Sequence, residues 1–390
     1  MFRCFDVLKP MVAMALLAFG FTAGGTPEPV NVPKLDADAL KADRGAMLKV
    51  FAENEYGVRR VERPDSLRFE TAADREIMDG KAIHRAVRIH ADGPRAPFSF
   101  MAHAYLPKDG KNLPSFVLVY LGQRIKKDGF DPNDKDPSRT HLPVRQILER
   151  GYAAVMFNNW DVALDDSRAC FTSGVFRAWG PSSESERTDS DWSAISAWAW
   201  GASRVLDWIE TRGEFDAKRV AVIGHSRGGK TALWAGTTDS RFALACVNDS
   251  GCSGARISHI LLPGSETIAD INTRFPHWFC RNYRRFNGKD METFFDQHQL
   301  VALMAPRPVA IASATEDHWA GQLGEFKSGE LASQAWGVYG KKGLVAPNGM
   351  PSPDTPLQEG MIGYHIRTGV HELNSKDWKF YLDFADRRME

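Results

Sequence analysis

The stretch from Arg219 to Gly236 constrains the chain more than any other. Val220 to Ile223 is a short β-branched run of the kind that forms a buried strand. Gly224-His225-Ser226-Arg227-Gly228 follows, and Lys230 to Ala235 reads as the start of a helix. Strand, sharp turn and helix in that order are the context in which a G-x-S-x-G pattern acquires chemical meaning. Small residues let the chain reverse tightly and lift the Ser226 hydroxyl clear of the backbone. The first N–H groups of the helix then face whatever that hydroxyl attacks. The alternative is a glycine-rich turn carrying an idle serine, and the flanking strand and helix argue against it.

The remaining pattern suits one sheet built around that strand. Phe116 to Leu121 is a continuous apolar run expected as a central parallel strand, with a loop at Gly122-Gln123-Arg124. Tyr152–Phe157, Phe242–Asn248 and Met304–Ser313 supply further strands, and Leu67–Arg88 and Phe98–Leu106 alternate as antiparallel strands do. Trp192 to Arg212 is expected as a helix, with Ile195, Trp198, Ala202, Val205 and Ile209 on one face, Asp191 as its N-cap and Gly213 at its end. Asp377 to Arg388 reads as a closing helix, and Leu164 to Asp191 as a polar, irregular surface insertion. Strands alternating with helices, without repeats or an interior linker, predict one doubly wound α/β unit over residues 61–390, a mostly parallel sheet in a three-layer sandwich.

Composition narrows the function. Lys+Arg and Asp+Glu are equal at 49 each, which gives no support to a nucleic-acid partner. Eleven tryptophans hint at platforms for sugar rings. Residues 1–25 read as a secretory signal, with Arg3 and Lys9 ahead of the apolar run Met11–Phe21. That run is short for a membrane span and has no successor, so no membrane partner and a secreted or periplasmic protein are expected. Residues 26–60 read as a linker and a charged, partly helical extension. In an oxidising compartment a Cys252–Cys280 disulfide is the expected pairing among Cys170, Cys246, Cys252 and Cys280. Cysteine and histidine spacings match no metal site, and no cofactor is expected.

A serine hydroxyl needs a base, and the base an acid to orient it. In the α/β-hydrolase order these follow the serine as acid, then histidine. His371, in Thr368-Gly-Val-His-Glu372 before the closing helix, is the candidate base. His365 reads as a structural histidine in a strand, and His225 as pointing away into packing. Asp317, after the strand ending at Ser313, is the favoured acid. Asp249, after the strand ending at Asn248, stays open as a second, with Glu316 as a weaker third.

The core Gly224-His-Ser-Arg-Gly-Gly-Lys230 with Asn248-Asp-Ser-Gly251 resembles the glucuronoyl esterases of carbohydrate esterase family 15. Arg274-Phe-Pro-His-Trp-Phe-Cys280, Ala305-Pro-Arg-Pro308 and Gly363–Gly369 are similar to its bacterial branch. The resemblance runs from about Ser115 to the C-terminus. It implies metal-free cleavage of esters between glucuronic acid on xylan and lignin alcohols, hence a polysaccharide substrate, with a monomer expected. It further implies Ser226 as nucleophile, His371 as base and Arg227 as the oxyanion's partner, with Lys230, Glu266 and Trp319 binding the sugar. Three departures matter: His225 stands where fungal members have Cys, Asp249 where many members have Glu, and Leu121-Gly122 replaces the lipase HGGG loop. An acetyl-xylan esterase on the same scaffold and a non-catalytic carbohydrate-binding relative are the competing readings.

Overall fold

The computed structural model describes residues 31–122 and 141–389. Residues 1–25, expected as a secretory signal, and Gln123-Arg124 lie outside these residues. The strands are β1 (Arg68–Thr71), β2 (Arg75–Ile77), β3 (Ala82–His90), β4 (Ser99–Pro107), β5 (Leu113–Tyr120), β6 (Ala153–Asn158), β7 (Phe215–His225), β8 (Leu244–Asn248), β9 (Val309–Ala314) and β10 (Ile362–Arg367). They form one sheet in the order β1-β3-β4-β6-β5-β7-β8-β9-β10, with β2 beside β3. Pairing is antiparallel from β1 to the β4–β6 contact and parallel from β6 through β10.

Period-two alternation splits the buried strand residues between two cores. Val117, Val119, Val220 and Val222 pack on one face, against the helices Ala194–Ile209 and Arg227–Thr238. Phe116, Leu118, Ala221 and Ile223 pack on the other, against Val144–Glu149 and the closing helix Ser375–Arg388. The central strands are therefore apolar on both sides, which is why they read as continuous runs rather than alternating ones.

Four expectations change. The helix Ala194–Ile209 is buried along its whole length, not on one face. The chain before it covers the outer side: Arg59 Nε donates to Ser196 Oγ at 3.4 Å, and Trp200 Nε1 donates to the Glu62 carbonyl at 2.7 Å. Its N-cap is Ser193, because Asp191 is taken by a two-pronged bond from Arg60 at 2.8 and 2.7 Å. The insertion Leu164–Asp191 is not merely superficial. It contains the helix Gly174–Trp179, buries Cys170, Val175, Phe176 and Ala178, and donates Trp179 Nε1 to the Ala91 carbonyl at 2.9 Å. Finally, the Cys252–Cys280 bridge is absent; the four described thiols are free and buried. Cys252 Sγ lies 3.6 Å from Ser253 Oγ and Cys280 Sγ 3.7 Å from the Glu53 carbonyl, so each thiol sits in its own polar niche. Burial pushes these thiols up to about 11 and about 12.

Residues 31–60 pack into the larger core through the buried Phe51 and Tyr56. Tyr56 stacks on Trp234 with centroids 4.3 Å apart and donates its hydroxyl to the Ser253 carbonyl at 2.9 Å. Beside it, Glu55 is completely buried and takes Gln297 Nε2 on both oxygens, at 3.1 and 3.0 Å. Burial raises its pKa from 4.5 to about 8. A carboxyl that holds its proton more tightly folded than unfolded contributes most below about pH 4.5, and stability falls as pH rises from there to about 8. Glu55→Gln is therefore expected to match the wild type in melting temperature near about pH 5 and to exceed it near about pH 9, measured by calorimetry. An unchanged difference between the two pH values would contradict this.

Candidate active site

The carboxyl ends of β7, β8 and β9 place the site. Ser226 has φ 57° and ψ −125°, a left-handed strain at the turn between β7 and the helix Arg227–Thr238. Its N–H donates to the Asn248 carbonyl at 2.9 Å, which ties the turn to β8. The turn closes so tightly that a Cβ on Gly224 would stand 2.0 Å from the Gly228 carbonyl oxygen, and one on Gly229 2.8 Å from that of Asn248. Glycine is required at both places, and the helix's first N–H groups surround the serine without intrahelical partners.

His371 follows β10 and Asp317 follows β9, and the two meet: His371 Nδ1 lies 2.5 Å from Asp317 Oδ2. Asp317 is buried, while the His371 side chain is 43% exposed toward solvent. A carboxylate on Nδ1 leaves Nε2 as the ring's free nitrogen. Asp249 is buried beside them but is held otherwise. Its Oδ2 accepts the Glu372 N–H at 3.4 Å and lies 3.9 Å from Arg367, and its Oδ1 has no hydrogen-bond partner. Burial, with Glu325, Asp377 and Asp317 nearby, pushes its carboxyl well above the usual carboxylate range. Glu316 takes part through its backbone, donating its N–H to the Gly369 carbonyl at 2.9 Å.

His225 does not point away from the site. Its ring lies 4.3 Å from that of His371, tilted by 47°, and its Nδ1 meets Asn248 Oδ1 at 2.7 Å. Burial, then the nearby His371 and His141, hold it well below the ordinary imidazole value. His365, expected as structural, is buried and bonded to Asp377 at 3.0 Å.

The cations are fixed by partners that local pattern did not reveal. Arg227 Nη1 donates to Asp165 Oδ2, whose other oxygen takes His277 Nε2 at 2.8 Å and Trp278 Nε1 at 2.7 Å. Burial acts to raise Asp165, but these donors hold it below the usual carboxylate range. The guanidinium lies 5.1 Å above the Trp278 ring, which itself stacks on Phe275 at 3.8 Å. Asp165 carries no motif, whereas His277 and Trp278 stand within the segment 274–280 that carried part of the resemblance. Lys230 is buried, with Nζ donating to the Ser250 and Cys252 carbonyls at 2.5 and 2.6 Å and 3.6 Å from Glu266 Oε2. Glu266 donates its N–H to the Trp319 carbonyl at 2.9 Å, and Arg274 lies 4.6 Å above the Trp319 ring. Ser226, Arg227, Lys230, Glu266, Trp319 and His371, with Phe275 and Trp278, line a cavity of about 180 Å³.

A strained serine between a parallel strand and a helix, with a histidine–aspartate pair at the same sheet edge, defines an α/β-hydrolase. A family model described as "Glucuronyl esterase, fungi" matches residues 140–340. The carbohydrate esterase MZ0003 of an unknown prokaryotic organism is 41% identical over 345 residues, covering 82% of this chain and 78% of that one. A 4-O-methyl-glucuronoyl methylesterase of Hypocrea jecorina is 32% identical over 296 residues, covering 67% and 63% respectively. Among solved structures, a glucuronoyl esterase from Solibacter usitatus superposes with TM-score 0.80 at 33% identity over 91% of this chain and 94% of that one. The chain belongs to the glucuronoyl esterases of carbohydrate esterase family 15, and is a carboxylic ester hydrolase.

The turn geometry makes a stability prediction. Gly224→Ala is expected to cost more than about 3 kcal/mol in denaturant unfolding, because backbone rather than a flexible side chain must move. Gly337→Ala, where nothing lies within 4 Å of the new methyl, is the control and should be neutral or slightly stabilising. Equal effects at the two positions would contradict the close approach.

Proposed function

We propose that this chain is a secreted or periplasmic serine esterase that hydrolyses esters of glucuronic acid, with or without its 4-O-methyl group, on xylan-type polysaccharide. The observation that carries the reading is the Asp317–His371 bond at the edge where Ser226 is held strained, beside a cavity lined by Arg227, Lys230 and Glu266. His371 Nε2 takes the Ser226 proton as Oγ attacks the ester carbonyl carbon. The oxyanion is stabilised by the Arg227 N–H and by the guanidinium that Asp165 and Trp278 hold in place. One well-aimed donor of this kind contributes about 10²- to 10³-fold in rate. The alcohol departs with the proton from His371, and water, deprotonated by the same ring, releases the uronate and frees Ser226. Asp317 keeps the imidazole in one tautomer and stabilises its charged form. Asp249, turned to the Glu372 N–H, is not the orienting acid in this reading.

Lys230, Glu266 and Trp319 would hold the sugar: a buried ammonium and a carboxylate for its hydroxyls, and an aromatic wall for its ring. The names of the relatives support the uronate class of substrate, since the Hypocrea jecorina protein is a 4-O-methyl-glucuronoyl methylesterase. Export rests on residues 1–25, whose charged start, apolar run and small residues have the form of a cleaved signal. Residues 61–390 would then form the catalytic unit, with 31–60 packed against it.

Hydrolysis of benzyl glucuronate beside an aryl acetate tests the reading. Glucuronate turnover is expected to dominate, to fall by about 10⁴-fold or more in Ser226→Ala, and to lose about 10- to 100-fold in kcat/KM in Lys230→Ala with acetate far less affected. Turnover of acetate alone, indifferent to Lys230, would assign the scaffold to a different carbohydrate ester.

A further inference from the structure

Beside the turn that carries Ser226, His225 and Asp249 meet His371 in an arrangement that ester hydrolysis does not require. His225, Asp249 and His371 each offer one ligand atom, and the three lie within 4.8 Å of one another. Among the described residues this is the one such convergence of three histidine, cysteine or acidic groups. We propose that His225, Asp249 and His371 form a binding site for a divalent transition ion of the zinc type, and that its occupancy turns the esterase off.

The preparation of each ligand supports this. Asp317 on His371 Nδ1 reproduces the carboxylate–histidine arrangement that orients imidazole ligands and raises their basicity. Asn248 Oδ1 can only accept, so His225 Nδ1 carries the proton of a neutral ring, and the second nitrogen keeps a lone pair. Asp249 is completely buried, and its Oδ1 lacks any hydrogen-bond partner. Its Oδ2 lies 3.8 Å from His225 Nδ1, and leaving the other oxygen of a buried carboxyl unpartnered is costly, a cost that a cation on this carboxyl would offset. His371, 43% exposed, gives the ion a way in from the catalytic cavity.

The ligand set selects the ion. Two imidazoles and one carboxylate suit zinc and its neighbours, while calcium and magnesium prefer all-oxygen cages. Bonds of about 2.0–2.2 Å place tetrahedral ligand atoms roughly 3.3 Å apart, so the cluster must contract by up to about 1.5 Å. His371, held by one hydrogen bond and open on its solvent side, can supply that movement. Arg367 lies 3.9 Å from Asp249 Oδ2 and opposes a dication, but its charge is offset by Asp377 at 2.8 Å and by the carbonyls of Thr368, Val370 and Glu372. Inhibition follows because an ion on His371 removes the lone pair that would take the serine proton. That consequence rests on reading His371 as the base; binding itself does not.

Binding is measured by titrating Zn²⁺ alone into Ser226→Ala and Ser226→Ala/His225→Phe by calorimetry, and inhibition in the wild type and His225→Phe, each relative to its own metal-free rate. Co²⁺ absorption on Ser226→Ala reports the ligand geometry separately from activity. One ion per chain is expected, with inhibition reversed by chelator. Affinity and inhibition should both weaken by at least about 10-fold in His225→Phe, and likewise in Asp249→Asn, the scale on which even outer-shell partners act. Zinc that binds without inhibiting and ignores His225→Phe, as on the part-buried pair His84–His103, would overturn the site. Unchanged stoichiometry and inhibition in both variants, or no binding at millimolar zinc, would overturn the site. Because the binding arm needs no turnover, its failure is distinguishable from failure of the esterase reading.

Discussion

Everything at the site depends on the contact between the backbone of the nucleophile turn and the end of β8. Gly224 and Gly229 let the turn close onto the Gly228 and Asn248 carbonyls, and the Ser226 N–H is held by that same Asn248 carbonyl. The strain at Ser226, a cost of roughly 1–3 kcal/mol, persists because strand, turn and helix over-determine it. Asn248 then acts twice, its backbone fixing the serine and its side chain fixing His225 against His371. One residue at a strand end thus couples the orientation of Ser226 to the surroundings of His371.

Around this turn the charges are sorted by solvation and by reach. Asp317 bonds His371 and remains buried, whereas Asp249, with only the Glu372 N–H on one oxygen and acidic groups around it, is pushed well above the usual carboxylate range. Glu325 reinforces the arrangement from below. It accepts Ser250 Oγ at 3.0 Å and the Gly251 N–H at 2.9 Å after β8, and Ser313 Oγ at 2.7 Å on β9, so one carboxyl ties together the two strands that carry the acids. On the other side, Asp165 collects an arginine, a histidine and a tryptophan into a rigid wall. A cation held this way need not reorganise when negative charge develops beside it, which is the condition for electrostatic catalysis.

Much of this was legible in the chain. The β-branched run before Gly224, the apolar strands and the closing helix are local signals that the tertiary structure strengthens. The placement of His371 just ahead of that helix is topological and also readable. His225 was misjudged for a definable reason. Strand alternation puts it on the same face as Ala221 and Ile223, which is the face of the closing helix, and His371 enters the site from the chain just before that helix. Parity and topology together pointed to the site. Asp165 was not legible, because its partners lie 62 or more residues away and the insertion holding it folds inward only through tertiary packing. The disulfide expectation failed because shared loop context says nothing about which way two thiols face. The burial of residues 31–60 was hidden by short, charged helices whose apolar residues, Phe51 and Tyr56, are few but fully enclosed.

Catalysis through Ser226 requires that the serine carry a covalent uronyl ester during turnover. The most direct measurement is intact and peptide mass spectrometry of enzyme acid-quenched while hydrolysing methyl glucuronate, with a His371→Ala variant to slow release. One added uronyl group is expected, mapped to the peptide containing Ser226. Continued turnover with no adduct, or an adduct on another residue, would contradict it.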